Sequence, residues 1–391
     1  MKAGIAALVV AYVLSQFYRA FLAVLAPALK TEIGATAQDL ASASGYWFLT
    51  FAIMQLPIGS ALDRIGPRIT AAGLLAIGAL GAAVFANATG VSEVKIGMAL
   101  IGIGCAPVLM ASYYIFARSY SAAVFGTLAG VVIGVGSLGN IAASLPLSLA
   151  VDAFGWRETV WALAAVTLLT AGAIAILVRD PPHEASSQKG SILDLLRLPA
   201  LWPVLIMMAA GYAPAAGLRG SWAGPYLTDV FDADAARIGT VTLIMGLAMV
   251  AGNLAYGPLD RVIGTRKWVV IVGNAIVALV FIRLALAPAA GGWQTVALFA
   301  TAGLCGASFP MIMAHGRAFL PAHLMGRGVT LLNLFGIGMA GLMQLATGRV
   351  HAAFGPASAD NTMPYTAVFG LYVGLIVIGL AIYAFSRDRT D

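Results

Sequence analysis

The chain has 391 residues, 61% of them hydrophobic and only 10% charged, and a mean hydropathy of +0.93. Soluble domains carry about 45–50% apolar and about 25% charged residues, so too little polar surface is left to cover a water-soluble particle of this size. The same numbers exclude disorder, a collagen-like fibre and a disulfide-stapled secreted domain. The formal charge of +6 is scattered among apolar segments and forms no nucleic-acid-binding patch.

About 20 apolar residues cross the hydrocarbon layer as a helix. Windows of that kind fall near 5–28, 38–61, 69–89, 93–116, 124–150, 158–178, 200–227, 238–258, 268–288, 293–315, 328–350 and 364–385. The sequence therefore predicts an all-α polytopic membrane protein with twelve transmembrane helices. The first window is too long for a signal-peptide core and lacks a small-residue cleavage pattern, so it reads as a retained helix. One sizeable polar connection divides the chain into a bundle over 1–178, a linker over 179–199 and a bundle over 200–391. Cys105 and Cys305 each lie in an apolar stretch, and no disulfide is expected.

Lysine and arginine set the orientation. With the N-terminus inside, fourteen of the 22 basic residues, among them Arg64, Arg68, Arg118, Arg261, Arg266 and Lys267, fall on the cytoplasmic side. This places both termini in the cytoplasm and the protein in a plasma, or inner, membrane.

The halves repeat at an offset near 200 residues. Tyr12 and Arg19 match Tyr212 and Arg219, Cys105 matches Cys305, and Gly134, Gly136 and Gly139 match Gly336, Gly338 and Gly341. The segment from Gly59 through Asp63, Arg64, Gly66 and Arg68 matches the one from Gly257 through Asp260, Arg261, Gly264 and Arg266. This segment, between the second and third helices, resembles the signature loop of the major facilitator superfamily. Its degenerate copy lies between the eighth and ninth, and Asp152 to Arg157 resembles the family's usual end of the fifth helix. The resemblance covers essentially the whole chain. It implies two pseudo-symmetric six-helix bundles that move a substrate by alternating access, with monomer as the family's usual state. It also implies that Asp63 latches the cytoplasmic side against a neighbouring helix start near Arg327.

Arg19 and Arg219 lie near the middle of the first and seventh helices. A guanidinium at bilayer depth costs from about 2.5 to above 10 kcal/mol, so each must face a polar cavity or a partner. One isolated arginine could be structural; two at repeat-equivalent positions point to an anion, which a guanidinium grips with two parallel hydrogen bonds. The pairing also resembles the organophosphate and organic-anion branches of the family. Tyr12, Gln16 and Arg19 recur at helical spacing, and Tyr212, Arg219, Trp222 and Tyr226 do much the same. Tyr212 and Tyr226 could instead pack between helices. Tyr46, Trp47, Gln55, Tyr113, Tyr114 and Asn140 are further polar candidates, with interhelical hydrogen bonding as the alternative for each.

His315 follows Met311 and Met313, which permits a copper or proton-carrier reading, although two cavity arginines would repel a cation. No zinc motif, nucleotide loop or nucleophile elbow stands out, so neither enzyme activity nor a metal or cofactor is expected. The leading expectation is a secondary transporter of a small carboxylate- or phosphate-bearing anion, working by exchange or linked to protons. A drug or amphiphile exporter is the alternative; a membrane receptor would need a signalling domain that 179–199 is too short to form.

Overall fold

The structure is a computed structural model that describes residues 2–120, 122–181, 192–289, 291–321, 324–355 and 362–389. No strand occurs among these residues. The chain divides into two compact units, Met1–Ala185 and Ser186–Asp391. Among the described residues, ten helices are long and apolar enough to cross a membrane, and two bent helix pairs, each counted as one span, bring the number up to twelve.

In the first unit, span one is Ala3–Tyr18 followed by Phe21–Ile33, bent by 49°. Spans two to four are Ala37–Arg64, Pro67–Ala86 and Val91–Ser119. Span five joins Gly130–Ala142 to Leu145–Phe154 at 44°, and span six is Trp156–Leu177. In the second unit, span seven is Pro199–Phe231. Spans eight to twelve are Ala235–Ile263, Lys267–Leu286, Gly292–Arg317, Met325–Phe354 and Met363–Tyr383.

The breaks follow local chemistry in most cases. Span five bends just before Pro146, which sits in the first turn of the following helix and tolerates its missing N–H there. Span seven carries Pro214, and four residues later its backbone widens into a π-turn over Leu218–Trp222. Span one breaks at Arg19–Ala20 without a proline at the break; Pro27 lies further along. Spans three and four pack on small residues: a Cβ placed on Gly78 would sit 3.2 Å from the Gly104 Cα.

Both units close the same way at the end that carries the Asp63 or Asp260 loop. After span six, the Asp180 carboxylate accepts the Arg68 backbone N–H at 2.8 Å and lies 3.8 Å from its guanidinium. Gly66 has φ +95°, and a Cβ there would sit 2.9 Å from the same carboxylate, so both the turn and the cap need glycine. After span twelve, Asp388 accepts the backbone N–H groups of Arg266 (3.2 Å) and Lys267 (3.0 Å) and the Thr265 hydroxyl. Each third helix of a repeat thus starts on a carboxylate from beyond the sixth, where the helix dipole favours negative charge.

Partial burial pulls the Asp388 carboxyl upward, but the bonds from Thr265, Lys267 and Arg266 outweigh it and hold the group below the ordinary carboxylate range. A depressed carboxyl contributes stability above its unfolded value, near 4, and loses it as pH falls through the folded one. Asp388→Ala should therefore lower stability at pH 7 by about 1 kcal/mol, the worth of a helix cap. The gap in thermal midpoint between variant and wild type in detergent should close as the pH is brought below about 4.

Candidate functional site

Arg19 sits where the helix of span one is interrupted, between Tyr18 and Phe21. Its Cζ lies 5.2 Å from the centroid of Trp47 and 4.9 Å from that of Phe51, both on span two. Those two rings are themselves stacked at 5.1 Å, so the guanidinium meets one continuous π surface. Tyr12 is buried, and its hydroxyl accepts from Gln16 at 3.2 Å. Its ring lies against span five at Gly136, where any side chain would collide with it. Tyr113 lies within electrostatic reach of Tyr12. Tyr12 and Gln16 thus lie one turn apart on span one, with Arg19 at the break beyond them.

Arg219 occupies the π-turn of span seven and is 4% exposed. Span eight faces it with Gly246, where a Cβ would come within 2.9 Å of Nη2. Glycine there leaves room for the guanidinium. Tyr212, two helical turns earlier, interacts with Arg219 electrostatically and packs edge-on against Phe309 at 5.1 Å. The repeat-related arginines thus share a structural property: each lies at an irregular turn of its own span.

Other predicted residues fall elsewhere. Tyr46 is 42% exposed, whereas its neighbour Trp47 is fully buried against Arg19, so the helix register puts the indole and not the phenol at the arginine. Tyr114 lies under the Arg118 guanidinium at 4.3 Å, and Arg118 in turn sits 3.7 Å from Asp63. Tyr114 therefore belongs to the loop and not to the arginine site. Gln55 donates to the Phe51 and Ala106 carbonyls and serves as an interhelical tie. Asn140 is part-buried on span five, next to Gly139, which packs on the span-one backbone at Val13. Tyr226 donates its hydroxyl proton to the Pro288 carbonyl, and its ring sits among Phe231, Phe299 and Phe369. Trp222 donates its indole N–H to Thr347 at 3.0 Å. Both donors are thus engaged within the second unit.

In the loop copies, Asp63 pairs with Arg118, while Asp260 pairs with Arg266 at 3.0 Å. Gly59 and Arg64 lie on the last turns of span two. The side chain of Arg261 lies outside the described residues. Asp180 and Asp388 complete these loops, and the sequence reading passed over them as linker and tail. The repeated Arg-Asp pair, Arg179-Asp180 and Arg387-Asp388, was the signal that could have found them.

His315 is fully buried, with Nε2 3.0 Å from the Arg387 carbonyl and Nδ1 2.6 Å from the Tyr383 hydroxyl. A carbonyl only accepts, so Nε2 carries the proton and Nδ1 accepts from Tyr383. Both nitrogens are hydrogen-bonded, so a copper ion would have to displace one of these contacts. Among the described residues, no group of three or more His, Cys, Asp or Glu could hold a metal ion.

Residues 8–222 match the family model of the Major Facilitator Superfamily. The chain belongs to that family of membrane transporters. Solved structures share its fold at low identity. A bacterial homologue of the human lysosomal transporter Spinster, in an inward-facing and occupied conformation, is 18% identical with a TM-score of 0.76, covering 98% of this chain and 96% of that one. A D-xylose–proton symporter is 15% identical with a TM-score of 0.78, over 98% and 97%. A nucleoside transporter is 12% identical with a TM-score of 0.74, over 96% and 99%. Two of these proteins are named for unlike substrates, D-xylose and a nucleoside, so the shared fold does not specify a cargo.

His315→Ala should leave the Tyr383 hydroxyl and Arg387 carbonyl without these bonds and cost about 1–3 kcal/mol, read as a lower thermal midpoint in detergent. Copper should leave the wild-type midpoint unchanged. A variant as stable as wild type would contradict the structural role of His315.

Proposed function

We propose that this transporter carries a small anion bearing a carboxylate or phosphate group, by alternating access, and that Arg19 and Arg219 recognise it. The observation that carries the reading is the matched placement of the two arginines. Each repeat sets one guanidinium at an interrupted turn of its first helix, deep within a membrane span, where charge is costly unless it is used. A guanidinium within a membrane span of each repeat suits an anion better than a neutral sugar or a cation. Tyr12, Gln16 and Tyr212 lie on the same two spans as the arginines and supply hydrogen-bonding groups, with Trp47 and Phe51 as an apolar wall. The anion moves by exchange or with a proton.

The distribution of lysine and arginine supports a plasma, or inner, membrane with both termini in the cytoplasm. On that orientation the Asp63 loop is cytoplasmic, and its carboxylate is the latch of the inner gate.

A thermal-shift screen of the purified protein against carboxylates and phosphates tests the class, since a ligand at 100 times its dissociation constant adds about 2.7 kcal/mol. For the anion so found, Arg19→Gln or Arg219→Gln should weaken binding about 100-fold, equal to about 2.8 kcal/mol. Lysine should rescue in part, because it keeps the charge and loses the planar fork. Gly246→Ala separates position from charge: the clash falls on the flexible end of Arg219, so the fold should hold while affinity drops. Gln variants that retain affinity within about threefold would make the arginines structural.

A further inference from the structure

Three residues beyond Arg219, the ring of Trp222 meets two others. His351 on span eleven lies 5.1 Å away and tilted by 36°, and Tyr365 on span twelve lies 6.1 Å away, edge-on. The His351 and Tyr365 rings are themselves 4.9 Å apart. The three rings form a closed cage from three spans of one unit. Trp222 is fully buried and Tyr365 is 1% exposed. The indole N–H goes to Thr347, one turn before His351 on the same helix, so the cage is braced from both sides. The Tyr365 hydroxyl donates to the Asp229 carboxylate at 2.6 Å.

His351 is the member of this cage that packing does not explain. Its Nε2 is buried and meets no hydrogen-bond partner, a cost that a phenylalanine in the same space would avoid. What an imidazole adds is a charge that can be switched on. A histidinium lying over an indole is stabilised by the ring face, tryptophan giving the strongest such contact, and Tyr365 packs edge-on beside it. The titratable groups facing it are Asp229 from span seven and Tyr365 from span twelve, with Tyr226 behind Tyr365 at 5.2 Å. Arg349, on the same helix, is exposed. The charge nearest in kind is therefore the carboxylate of Asp229, opposite in sign to a histidinium.

We propose that His351 is a proton-binding site of the second unit, its cation held between Trp222 and Tyr365 with Asp229 as counter-charge. The site adds one positive charge on span eleven, against the Trp222 ring three residues beyond Arg219 on span seven. This assigns a proton to the transport cycle at a residue other than His315, whose two nitrogens are already bonded. Only the further step, that this proton travels with the anion, rests on the proposed function; the site does not.

A protonated imidazole stacked on an indole quenches its fluorescence, which gives a readout that needs no substrate. The purified protein should show a reversible step in tryptophan emission between about pH 5 and 8. His351→Gln and Trp222→Phe should each abolish the step, and His315→Gln should keep it. Asp229→Asn should keep the step but move its midpoint down by about half a pH unit or more, an approximately threefold loss of proton affinity, because a neighbouring negative charge is gone. Far-UV circular dichroism at each pH shows that the protein remains folded. A step that survives in His351→Gln, or a folded wild type with no step, overturns the proposal. Either result leaves anion binding at Arg19 and Arg219 to stand or fall on its own screen.

Discussion

A guanidinium inside a membrane span is the constraint on which the rest of the site depends. Carrying it there is expensive, and a regular helix offers it nothing, since every backbone carbonyl is already bonded four residues on. In both units the helix gives way at the arginine: span one is interrupted at Arg19–Ala20, and span seven widens over Leu218–Trp222. The surroundings follow. Trp47 and Phe51 offer π faces to Arg19, and Gly246 withdraws its side chain from Arg219. Two unlike distortions at one repeat position mean that duplication preserved the charge and its depth while the backbone solution diverged.

The same duplication governs the loop ends. In each unit a carboxylate from beyond the sixth span reaches back to the start of the third, Asp180 to Arg68 and Asp388 to Arg266 and Lys267. The third and sixth spans of each unit are thereby tied through one carboxylate. The ion pairs differ around it: Asp63 engages Arg118 across spans, while Asp260 engages Arg266 within its own loop. The first unit's loop is thus braced between spans two and four, and the second unit's loop within itself.

Much of the fold was legible because it is written locally. Twelve apolar segments, the polar stretch near 180–197 and the Gly59–Arg68 loop each depend on short runs of sequence, and bilayer thickness does the rest. What stayed hidden depends on register or on distant partners. Tyr46 and Trp47 differ by one position, about 100° around a helix, and hydrophobicity alone does not say which faces Arg19. Tyr226 looked like an anion donor until its hydroxyl was found on Pro288. Asp229 read as a helix end, and only the approach of His351 and Tyr365, 122 and 136 residues away in the chain, gives it a role. The interruption at Arg19–Ala20 had no proline to announce it.

The central claim is that anion binding needs both arginines. It is tested most directly by a double-mutant cycle, with anion affinity measured for wild type, Arg19→Gln, Arg219→Gln and the double variant. Shared recognition predicts that the second substitution costs far less once the first is made, with an interaction energy above about 1 kcal/mol. An Arg19→Gln or Arg219→Gln variant that keeps affinity within about threefold of wild type would remove that arginine from anion recognition and contradict the claim.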